Sequence, residues 1–93
     1  MEESFLLELR MDDKIIVMLK KNESDEGVDI EIPLNISAEE LIYGLNQSFN
    51  LCIDMNDPRS CYLRASNPIA LIRGEKTIAE HGLRNGSSLY FDR

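Results

Sequence analysis

The sequence predicts an α+β domain in which a mixed β-sheet packs on one main helix, with an extra N-terminal segment in front. Three observations carry the prediction. A β-branched apolar run at Lys14 to Lys20 and an alternating run at Val28 to Leu34 flank a polar loop that ends in glycine. The segment "SAEELIYGLNQSF" joins a helix start signal to an apolar repeat of helical period. After it the chain holds only short strand-like runs separated by turn residues.

The elements follow in order. "KIIVMLK" (Lys14 to Lys20) is the first strand, and "KNESDEG" is the loop after it. "VDIEIPL" places Val28, Ile30, Ile32 and Leu34 on one face and Asp29 and Glu31 on the other, as a half-buried strand does. Pro33 lacks an amide hydrogen and suits the end of an edge strand. The two runs form an antiparallel hairpin.

Ser37 and Glu40 make a capping box, with Ile36 and Leu41 at the staple positions. Ala38, Leu41, Ile42, Leu45 and Phe49 then share one helical face, while Glu39, Tyr43, Asn46 and Gln47 face away. Gly44 costs about 1 kcal/mol relative to alanine inside a helix, which suggests close packing there. Asn50 suits the left-handed residue that ends the helix.

"NDPRS" and "SNP" are turns that bracket "CYLRA", a strand with Leu63 inward, and "IALI" is another short strand. Thr77 and Glu80 form a second capping box that Gly82 closes after about one helical turn. Asn85-Gly86 is a turn, and "SLYFD" is the last strand, with Leu89 and Phe91 inward. The first and last strands lie side by side in the middle of the sheet and run parallel. Residues 1–13 form an N-terminal extension and residues 14–93 the domain.

Composition bounds the function. Ninety-three residues make one domain, and 43% hydrophobic with 29% charged residues is ordinary for a globular chain. The net charge is -7, and no basic run exceeds Lys20-Lys21, so neither a nucleic acid nor an anionic membrane surface is an expected partner. "MEESFLLELRMDD" has acids where a secretory signal carries Lys or Arg, and no segment approaches a membrane span. Cys52 and Cys61 have no redox or metal spacing, so a cytoplasmic protein with reduced thiols is expected.

The element order resembles the β-grasp, or ubiquitin-like, fold. "KTIAEHGLRNGSSLYF" is similar to the end of a ubiquitin-like domain: a Thr-capped turn, an apolar residue two before Asn-Gly, and a strand with two inward apolar residues. Within that fold, "IRGEKTIAEHGLRNGSSL" resembles the YukD/EsaB-type proteins, ubiquitin-like accessory proteins of type VII (ESAT-6-like) secretion systems of Gram-positive bacteria. The resemblance implies a non-enzymatic accessory or regulatory protein. Its implied partner is a cytosolic part of the secretion machinery.

Catalysis has little support in the residues. Cysteine chemistry needs a base beside a thiolate. His81 is the only histidine and fits a cap at the end of the short turn, where it complements terminal carbonyls. Cys52 and Cys61 fit small packing roles. The acidic residues show no calcium-loop spacing and no zinc signature is present, so neither cofactor nor metal is expected. The alternatives are a conjugatable modifier or sulfur carrier, which requires a Gly-Gly tail that the sequence lacks, and a docking domain of a larger protein.

The expected site is a surface. If Ile15, Val17 and Leu19 point to the helix, Ile16 and Met18 point away, and by the same alternation so do Tyr62, Arg64 and Tyr90. Strand neighbours then gather Ile16, Met18, Tyr62, Arg64 and Tyr90 into one protein-binding patch on the open sheet face. Single exposed apolar residues are common, so the patch rests on their clustering. The competing surface is the outer helix face at Tyr43 and Gln47. "SFLLELR" near the N-terminus is too apolar for an idle tail. It pairs with a strand edge, packs as a short helix or mediates a homodimer.

Overall fold

A computed structural model describes residues 13–92. The expectations for residues 1–12 of the N-terminal extension, "SFLLELR" included, and for Arg93 lie outside the described residues.

Strands β1 (Lys14–Lys20) and β2 (Val28–Pro33) form the antiparallel hairpin. Helix α1 spans Ala38–Phe49, and β3 (Leu63–Ser66), β4 (Ala70–Ile72) and β5 (Ser88–Tyr90) complete a five-stranded sheet in the order β2-β1-β5-β3-β4. Strands β1 and β5 are parallel and the other pairs antiparallel. A mixed sheet with its first and last strands side by side and one helix across one face is the β-grasp arrangement.

The helix starts where the sequence says it should, for a reason that includes a distant segment. Each new helix has amides with no partner in its first turn. The Glu40 amide donates to the Ser37 hydroxyl at 3.1 Å, and the Glu40 carboxylate accepts the Ser37 amide at 2.9 Å. The Ala38 and Glu39 amides instead donate to the carbonyls of Lys76 and Gly74, at 2.9 and 3.1 Å. Thr77 and Glu80 form the second capping box, and Thr77 bridges Ser37. The two boxes therefore sit back to back. Asn50 ends the helix in the left-handed region, at φ 56°.

The core lies between α1 and the sheet. Ile15, Val17, Leu19, Ile32, Leu41, Ile42, Leu45, Leu63, Ile72 and Leu89 are buried together, joined by Ile53, Ile78 and Leu83 from the connecting segments. Ile30 and Phe91 pack partly against it.

Several inward assignments need correction. Val28 is 49% and Phe49 44% exposed, because each lies at the rim where the helix ends and β2 begins. Asn46, expected to face away, is half-buried; its side chain accepts the Ile53 amide at 3.0 Å and donates to the Ile53 carbonyl at 2.9 Å. It pins the chain that leaves the helix. Gly44 is exposed, and a side chain there would meet nothing within 4 Å, so close packing does not explain it. Cys52 is exposed rather than packed, while Cys61 is buried with its sulfur 3.7 Å from that of Met55. The "CYLRA" strand begins only at Leu63, and the last strand is paired over Ser88–Tyr90.

The Asn85-Gly86 turn does more than reverse the chain. The Asn85 side-chain carbonyl accepts the Ile16 amide at 2.7 Å, and the Gly86 amide donates to the Ile16 carbonyl at 2.9 Å. These bonds continue the β1–β5 contact ahead of the start of β5. Gly86 has φ 92°, which a side chain resists.

Candidate functional site

The sheet face opposite α1 carries the expected patch. The register sets its side chains in rows, because directly paired residues share a face. One row reads Lys20, Tyr90, Arg64 and Leu71 across β1, β5, β3 and β4. The next reads Asp29, Met18, Ser88 and Ser66 across β2, β1, β5 and β3. Ile16 stands beside Glu31 in the row beyond. Met18, Arg64 and Tyr90 are thus on adjacent strands, and Ile16 extends the array along β1. Tyr62 is half-buried just ahead of β3, with its amide donating to the Ser60 carbonyl at 3.0 Å.

Exposure within the patch is uneven. Ile16 is 44% exposed, and Met18 and Arg64 are half-buried. Tyr90, expected to project into solvent, is only 7% exposed. The expected direction holds, since Tyr90 is paired with Arg64 on the helix-free face, but the ring is covered. Arg64 lies over it with the guanidinium carbon 5.2 Å from the ring centre. The Tyr90 hydroxyl is 2.9 Å from the Ser66 hydroxyl. Strand β5 is central, so its side chains are flanked on both sides, as periodicity alone does not reveal.

Arg64 is held from a second direction. Its guanidinium meets the Glu23 carboxylate at 3.3 Å, with 41% and 67% of the two side chains exposed. An exposed pair of this kind contributes little stability, yet it fixes where the charge stands. Glu23 sits in the hairpin loop; hydrogen bonding from a backbone amide, then from Arg64, lowers its pKa below the ordinary carboxylate value. The same loop is braced by Asp25, whose pKa is lowered chiefly by the Lys21 amide, which donates to it at 2.9 Å.

One member of the face was missed. Leu71 is 47% exposed and directly opposite Arg64. Its run, "IALI", is apolar at every position, so no alternation distinguishes the inward residue. Ile72 is the one taken into the core, fully buried. The expected alternative surface also exists: Tyr43 on the outer face of α1 is 57% exposed.

Reactive groups are scattered among structural contacts. The His81 ring nitrogen lies 3.3 Å from the Arg73 carbonyl, the Cys52 sulfur 3.7 Å from the Asn50 carbonyl, and the Cys61 sulfur beside Met55. Among the described residues no group of three or more His, Cys, Asp or Glu could hold a metal ion. Among them, too, no helix is long and apolar enough to cross a membrane.

Comparison with known proteins gives one family. The family model described as "WXG100 protein secretion system (Wss), protein YukD" matches residues 15–91. No curated protein and no solved structure gives a significant match. The matched stretch contains α1, β2 to β5 and all of β1 but Lys14. With its ubiquitin-like fold over that same stretch, the chain belongs to the YukD family of the WXG100, or type VII, secretion system.

Proposed function

We propose that this protein is a non-enzymatic, cytoplasmic accessory module of the EsaB type that holds a protein component of the secretion machinery on its open sheet face. The observation that carries the reading is an Arg64–Tyr90 stack held by the fold itself, with Leu71 directly opposite Arg64 and Ile16 farther along β1 on the same face, both nearly half exposed. An ordered aromatic and guanidinium centre on a face that also exposes apolar side chains is the composition from which binding anchors are drawn. Its order is set before any partner arrives, so little side-chain freedom is lost on association. Ile16, Met18, Tyr62 and Arg64 supply contact, and Tyr90 supports Arg64 from beneath.

The test separates binding from folding. Surface substitutions away from special features stay within about 0.5 kcal/mol, whereas a lost anchor costs about 2 kcal/mol of binding or more. An Ile16→Ala/Leu71→Ala double variant and a Tyr62→Ala variant of the full chain should melt near the wild-type temperature. In cells lacking the native copy they should fail to restore export of the WXG100 protein. Normal export by both, with loss in Tyr43→Ala, places the contact on the outer face of α1 and overturns the assignment.

A further inference from the structure

Gly44 is the residue of α1 that the fold itself leaves without a role. Glycine weakens a helix interior relative to alanine. Gly44 lies well inside α1, and among the described residues nothing is within 4 Å of a Cβ placed there. Its small size therefore serves no packing within the described domain. It borders a cleft of about 500 Å³ between α1 and β2. Gly44, Leu45, Ser48 and Phe49 line the helix side of the cleft, and Ile30 and Ile32 the strand side. Phe49, nearly half exposed, also borders a second hollow of about 340 Å³ beside Val28.

The lining is apolar and the charges around it have one sign. Glu31 and Glu40, both exposed, are the charged residues of the cleft, and Asp25 and Glu26, also exposed, those of the hollow. Among the described residues no Lys or Arg lines either. Two of the four carboxylates are held in place. Glu40 accepts the Ser37 amide at 2.9 Å, and Asp25 accepts the Lys21 amide at 2.9 Å. The chain as a whole, at -7, adds a field of the same sign.

We propose that this cleft takes an amphipathic helix of a protein partner, with apolar side chains turned inward and Lys or Arg along its edges. The site is on the α1 side of the sheet, apart from the open face. From Leu41 to Phe49 the cleft follows α1 for about 12 Å, or two helical turns. A helix of that length offers apolar side chains at i, i+4 and i+7. Two helices approach as closely as the side chains at their contact allow, and Gly44 offers none there. The acidic rim attracts a basic segment and repels an acidic one, which sets the charge of the partner.

The experiment is an NMR titration of the full chain with a blocked 14-residue peptide of Leu and Lys, its Leu at helical spacing. The control is the same peptide with Glu for Lys. The Lys peptide should shift the amides of Gly44, Leu45, Ser48 and Phe49, and the Glu peptide should shift none of them. Gly44→Gln should raise the melting temperature, because glutamine favours a helix, yet weaken the Lys peptide by about tenfold or more, because its side chain fills the cleft. Glu31→Gln/Glu40→Gln keeps the capping box, since glutamine serves at that position, and should weaken the same peptide. Absence of binding, shifts confined to Ile16, Arg64 and Leu71, or unchanged affinity in folded Gly44→Gln overturns the proposal. So do contacts of the Phe49 ring, without peptide, to residues 1–12 or to a second copy, which give the cleft to this chain itself.

Discussion

Tyr90 gives the sharpest test of the open face, because its burial contradicts the simple picture of a surface tyrosine. At 7% exposed, its ring is almost wholly out of water. A buried aromatic side chain removes about 150–250 Å² from solvent. Setting aside the hydroxyl and the Cβ that alanine retains, about 120 Å² of ring remains, and at about 25 cal/mol per Å² this is worth about 3 kcal/mol. The contact with Arg64 adds about 0.5–1 kcal/mol. Tyr90→Ala should therefore destabilise by about 3–4 kcal/mol, and Tyr90→Phe, which loses only the bond to Ser66, by about 1 kcal/mol. In a domain this small each kcal/mol moves Tm by about 4–8 °C, so the alanine variant should melt at least about 12 °C lower. Urea denaturation of the three proteins measures both differences. A Tyr90→Ala variant within about 0.5 kcal/mol of wild type refutes the reasoning, since that is the scale of an ordinary surface change. A loss of that size makes Tyr90→Ala unsuitable as a binding probe, whereas Tyr90→Phe keeps the ring and is suitable.

Other outcomes follow from the same contacts. Leu45→Ala, at a core position only 6% exposed, should cost about 2–5 kcal/mol in the same denaturation assay, and a neutral result would remove α1 from the core. Asn46→Ala leaves both the amide and the carbonyl of Ile53 without their partner and should cost about 1–3 kcal/mol; an unchanged midpoint denies Asn46 its anchoring role. Backbone amides lower the folded-state pKa of Glu23, Asp25 and Glu80, the last chiefly through Thr77. A carboxylate with a lowered folded pKa stabilises the fold above its unfolded value, about pH 4, and loses that contribution as pH falls through the folded value. Melting temperature should accordingly fall on acidification from pH 5 to 3, less steeply in Glu80→Gln, and a rise over that window contradicts the assignment. Cys52→Ala with His81→Gln should leave export of the WXG100 protein unchanged, and its loss in a folded variant would restore a chemical role to these groups.

Local signals in the sequence determined where elements begin, end and point. The Ser37 and Thr77 capping boxes, Asn50 as helix terminator and the alternation of β1 all depend on residues a few positions apart, and each is present as expected. The parallel contact of β1 with β5 was legible because a ubiquitin-like order of elements allows few arrangements. Tertiary packing decided what lay beyond that range. Whether Tyr90 projects or is covered depends on Arg64, 26 positions away in sequence but directly paired with it in the sheet. Leu71 reached the open face because strand register, with every residue of its run apolar, chose Ile72 for the core. Val28 and Phe49 satisfy the apolar period of their own elements, yet they lie at the start of β2 and the end of α1 and stay half covered. Periodicity states which face a side chain occupies; only the neighbouring chain segments determine how much water remains there.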